Sequence, residues 1–79
     1  MKICTATFSS LTYAMKAQKA LAAEGIFSKI VSIDPALTKR GCSYGLEFSC
    51  SEEQTVRRIL RKNGIRVGQF LSFDGGILL

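Results

Sequence analysis

The stretch "AAEGIFSKIVSI", residues 22–33, decides how this chain is read. Two alanines end a helix-forming run, Gly25 supplies the break, and an apolar β-branched segment follows at once. The same device returns at "RKNGIRVGQFLSF", residues 61–73, again as helix, Gly-Ile, strand. Working outward from the first copy, "KICTATF" (2–8) is β-branched and aromatic with an alternating flavour, which predicts a strand. "SSLTYAMKAQKALAAEG" (9–25) predicts a helix capped by Ser9 or Ser10 and closed by Gly25. Leu11, Ala14, Ala17, Gln18 and Leu21 mark its stripe, with Lys16 and Lys19 beside it. "IFSKIVSI" (26–33) predicts a second strand, with Phe27, Val31 and Ile33 on one face.

Around the second copy the pattern repeats. Tyr44, Leu46 and Phe48 alternate with Gly45 and Glu47, as in a half-buried antiparallel strand. A helix opens at "SEEQ" (51–54), where Ser51 and Gln54 have the spacing of a capping box. Glu52 and Glu53 suit the positive end of its dipole, and Arg57, Arg58, Arg61 and Lys62 the negative end. Val56, Ile59 and Leu60 give the buried stripe, Gly64 stops the helix, and "IRVGQFLSF" (65–73) is the fourth strand. Two βαβ units joined by a loop predict an α+β, ferredoxin-like split βαβ sandwich (βαββαβ). Its four-stranded antiparallel sheet would carry both helices on one face.

A chain of 79 residues bounds this to a single domain, 1–79, with a core in 1–73 and a C-terminal tail in 74–79. In the tail, Asp74-Gly75-Gly76 should turn, leaving Ile77, Leu78 and Leu79 as an edge strand, a sheet-face patch, a subunit contact or a frayed end. No apolar run approaches the roughly 18–20 residues that cross a bilayer, so no membrane association is expected. "MKICTATF" lacks an apolar signal region, which predicts a cytoplasmic protein. The net charge of +5 permits nucleic acid or acidic partners, but a solvated basic face is the simpler account.

Little conventional catalytic chemistry is available. With no histidine, Ser-His and Cys-His arrangements are excluded, and the six carboxylates show no pairing signature. "GQFLSFDGG" has glycines without the strand–GxGxxG–helix order of a phosphate cradle. Three cysteines with no CxxC argue against a zinc site and a neat disulfide scaffold, and predict free thiols in a reducing compartment. No cofactor and no metal are expected. Cys4, inside the first strand, reads as a small core filler. Cys50, just ahead of the second helix, is a reserve candidate because a helix N-terminus favours thiolate. Cys42 has the better case: it follows Lys39, Arg40 and Gly41 on the longest loop, where cations favour thiolate and glycine leaves the sulfur accessible.

"PALTKRGCSYGLEF", residues 35–48, resembles the proline-to-cysteine-glycine segment of a small bacterial family of selenium/sulfur carrier-like proteins. The resemblance runs over nearly the whole chain, through the opening strand, the helix ending Glu-Gly-Ile, the Pro35 loop, the cysteine and the helix ending Asn-Gly-Ile. One departure stands out: Ser43 follows the cysteine where the family has glycine, and Gly45 comes two residues later. The resemblance implies a carrier, not an enzyme, with Cys42 as persulfide or perselenide acceptor and Lys39, Arg40 and Gly41 as the thiolate's surroundings. It also implies partner proteins that donate and accept the sulfur or selenium. The alternative is a non-catalytic ligand-binding or protein-interaction module, dimerising through the sheet or the tail. RNA binding would need exposed aromatics such as Phe8 and Tyr44, and without a basic-aromatic motif nucleic acid is disfavoured.

Overall fold

The computed structural model describes residues 2–34, 43–74 and 77–78. Strand β1 (Ile3–Phe8) leads to helix α1 (Leu11–Ala23) and strand β2 (Lys29–Ser32). Strand β3 (Tyr44–Ser49) continues through a 3-10 turn (Cys50–Glu52) into helix α2 (Glu53–Lys62), and β4 (Phe70–Asp74) and β5 (Ile77–Leu78) follow. The sheet order is β2-β3-β1-β4-β5, with every neighbouring pair antiparallel. The protein is thus α+β, with a four-stranded antiparallel sheet and two helices. The tail adds a fifth strand: Phe73 pairs with Leu78 and Asp74 with Ile77.

The repeated Gly-Ile has one physical cause in both copies. Gly25 (φ 79°) and Gly64 (φ 67°) take the left-handed conformation that glycine adopts without steric penalty. The Gly25 N–H donates to the Ala22 carbonyl and the Ile26 N–H to that of Leu21, at 3.0 and 2.9 Å. Gly64 donates to Arg61 and Ile65 to Leu60 in the same way, at 3.1 and 2.9 Å. These are paired Schellman closures, and Ile26 and Ile65 are buried as the hydrophobic contact that accompanies them.

That role corrects the predicted strand starts. The isoleucines belong to helix exits, so β2 begins at Lys29 and not Ile26, and β4 begins at Phe70 and not Ile65. Phe27, expected on a strand face, lies in the connection and is 87% exposed. At the other helix ends, Ser10 caps α1 as expected: its backbone is extended and its Oγ accepts from the Tyr13 N–H at 3.3 Å. The capping box at Ser51 does not form. The chain enters a 3-10 turn at Cys50, Glu52 takes the N-cap position of α2 without a side-chain cap bond, and Ser51 Oγ instead bonds Ser49 Oγ at 2.8 Å.

One core joins the helices to the sheet. Cys4, Ala6 and Phe8 of β1 and Leu46 and Phe48 of β3 meet Ala14, Ala17 and Leu21 of α1 and Val56, Ile59 and Leu60 of α2. Alternation places these strand residues on one sheet face, so both helices cover that face. The opposite face is not bare at its centre. Thr5 and Thr7 are buried there, and Thr7 Oγ1 accepts from the Gln69 N–H at 2.8 Å. Beside them Gly45 leaves room for Ile33: a Cβ at position 45 would collide with the Ile33 side chain and come within 2.7 Å of Thr5 Cγ2. Among the described residues, no helix is long and apolar enough to cross a membrane.

Candidate functional site

Lys39, Arg40, Gly41 and Cys42 lie outside the described residues. Their described neighbours are firmly placed. The Ile33 N–H donates to the Ser43 carbonyl at 2.8 Å, and Ser32 and Val31 pair with Tyr44 and Gly45. The segment carrying Cys42 therefore leaves and rejoins the sheet at one end of the β2–β3 ladder. Of the aromatics considered for stacking, Phe8 is fully buried in the helix-side core, and Tyr44 is packed partly against that core.

At the other end of β3 the structure brings two cysteines together that sequence reasoning kept apart. Cys4 and Cys50 form a disulfide, with Cα atoms 4.9 Å apart. This corrects the expectation of free thiols, and Cys4 is more than a core filler. The register explains the meeting. Ile3 faces Ser49 and Cys4 faces Phe48 across the β1–β3 ladder; the chain then turns at Cys50, whose N–H donates to the Lys2 carbonyl at 3.3 Å. The separation of 46 residues gives no local spacing to notice. The available cue was a core-facing cysteine near the start of one strand and another at the end of a strand; only the β1–β3 pairing makes them neighbours.

The surroundings of the pair are unequal and ordered. Cys4 is 2% exposed, whereas Cys50 is only partly buried. Glu53 Oε1 lies 3.8 Å from Cys4 Sγ. In the disulfide that sulfur bears no proton, so this is a contact; in the dithiol the same geometry lets the Cys4 thiol donate to the carboxylate. Glu53 Oε2 accepts from Arg57 Nε at 2.8 Å, and the Arg57 guanidinium stands 3.9 Å above the Phe70 ring. Phe70 in turn meets Phe48 edge-on, with ring centroids 6.3 Å apart. A run of contacts from the aromatic core through Arg57 thus holds Glu53 against the cysteine pair.

Arg57, Arg58, Arg61 and Lys62 border a shallow groove on the outer side of α2 together with Gln54 and Thr55. Lys62 Nζ lies 3.6 Å from Glu24 Oε2, tying the ends of the two helices across solvent. Exposed pairs of this kind contribute little stability.

The site the described residues present is thus a cysteine pair on a small antiparallel α+β sheet. The chain belongs to the family described as "Putative Se/S carrier protein-like", whose model matches residues 4–72 and so spans all three cysteines. No curated protein matches the chain.

Proposed function

We propose that this protein is a sulfur or selenium carrier that holds the transferred atom on Cys42. The observation that carries this reading is the family match across residues 4–72, together with the placement of Cys42 directly after Lys39, Arg40 and Gly41. The βαββαβ order and the β2-β3-β1-β4 arrangement are read as the ferredoxin-like sandwich on which such a carrier is built.

The chemistry needs one nucleophile. The Cys42 thiolate attacks the outer sulfur of a donor persulfide; the donor leaves as its own thiolate, and Cys42 keeps the sulfur as a persulfide. Lys39 and Arg40 favour the anionic form both before and after loading. A perselenide forms by the same displacement at selenium.

Incubation with a cysteine desulfurase-type donor, followed by mass spectrometry of the peptide containing Cys42, tests the reading. One added sulfur on Cys42, absent from Cys42→Ser, is the expected result. An unloaded Cys42, or equal loading of the serine variant at another site, overturns it.

A further inference from the structure

The Cys4–Cys50 pair is a set of thiols distinct from Cys42, which lies outside the described residues. Ser43 and Cys50 stand at opposite ends of β3, and seven residues at an extended rise separate them by about 23 Å. The pair is therefore a second thiol site, and its surroundings divide its two sulfurs between different tasks. Cys50 is the sulfur that an incoming reagent meets first, because Cys4 is closed off in the core. Cys4 has a carboxylate oxygen within reach of its proton, and that carboxylate is held in place by Arg57. A crosslink that served only to brace the fold would need none of these features.

We propose that the Cys4–Cys50 pair, in its dithiol form, is a discharge site that takes a persulfide carried on an external thiol and releases its outer sulfur as hydrosulfide. The choice of a persulfide as substrate rests on the carrier reading; the site itself does not involve Cys42. Cys50 thiolate attacks the outer sulfur of R–S–SH, R–S⁻ departs and takes up the proton that Cys50 gave up, and Cys50 becomes a persulfide. Glu53 then accepts the Cys4 proton, Cys4 sulfur bonds to Cys50 Sγ, and the bond from Cys50 Sγ to the terminal sulfur breaks. Hydrosulfide leaves with that electron pair. In sum, one persulfide and two thiols give R–SH, hydrogen sulfide and the disulfide: the sulfane sulfur gains two electrons and the cysteine pair loses two. An external dithiol returns the disulfide to the starting state by exchange. A perselenide would leave hydroselenide by the same steps.

The test uses the full chain, reduced with dithiothreitol, freed of it, and mixed with glutathione persulfide. Released hydrosulfide and the state of each cysteine are followed together. Hydrosulfide should appear in step with the Cys4–Cys50 disulfide, and Cys42→Ser should still form that disulfide and release hydrosulfide. Cys4→Ser should stop at a persulfide on Cys50. Glu53→Gln, which leaves both cysteines in place, should slow release by about tenfold or more while that persulfide accumulates. Release unaffected by both Cys4→Ser and Glu53→Gln overturns the proposal, as does release that disappears with Cys42→Ser alone. A parent chain that discharges glutathione persulfide yet never loads Cys42 would remove the carrier reading and leave this one standing.

Discussion

Ser10 caps α1 within a single turn of chain, its Oγ accepting from the Tyr13 N–H at 3.3 Å. An N-cap needs only a side-chain oxygen and a backbone N–H three residues on, and both are fixed by sequence. Ser51 carries the same signature and does not use it, because the turn begins one residue earlier at Cys50, whose N–H is already bound by the carbonyl of Lys2, just ahead of β1. The two serines should therefore differ on substitution. Ser10→Ala should lower unfolding free energy by about 1 kcal/mol. Ser51→Ala, losing only an exposed bond to Ser49, should stay within about 0.5 kcal/mol of the parent; urea titration of both variants checks the contrast. Cys4 and Cys50 mark the limit of such reading, since their meeting depends on which strands pair and in what register.

For whole elements, helical periodicity proved the dependable signal and strand starts the weak one. Val56, Ile59 and Leu60 were legible as the inner stripe of α2 because a 3.6-residue period has no competing explanation in a segment that is otherwise strongly polar. Each is buried in the shared core. Leu60→Ala should cost about 2–5 kcal/mol, through the lost transfer of the side chain and the cavity left between helix and sheet. Its midpoint in urea, beside that of Ser51→Ala, shows whether α2 is held by its stripe or by its first turn. The strand starts were misread for a single reason. Ile26 and Ile65 are apolar because they seal helix ends, and apolar character alone does not say whether a residue belongs to the element it follows or the one it precedes. The candidate site divides the same way. The Cys42 environment is argued from residues adjacent in sequence, whereas the Glu53–Arg57–Phe70 run required the packing of α2 on β4's first residue.

Across the whole molecule the crosslink sets the largest single term that one reagent can remove. Closing a loop of 46 residues in the unfolded chain corresponds to about 4 kcal/mol in the chain-entropy account. Thermal unfolding with and without dithiothreitol should show a lower midpoint under reduction, and a Cys4→Ser, Cys50→Ser double variant should no longer respond to the reagent. The sheet order adds a consequence of a different sort. β1 and β2 come from the first half of the chain and β3 and β4 from the second, yet the order β2-β3-β1-β4 alternates between halves. No strand of either βαβ unit hydrogen-bonds to its own partner: β1 lies between β3 and β4, and β2 lies against β3. The repeated Gly-Ile thus marks two units that resemble each other but are interleaved like the fingers of two hands, with Cys4 on one and Cys50 on the other. A chain severed at Lys39 or Arg40 would lose its covalent continuity along the backbone and keep it across the sheet, a single particle made of two peptides until the sulfur bond is opened.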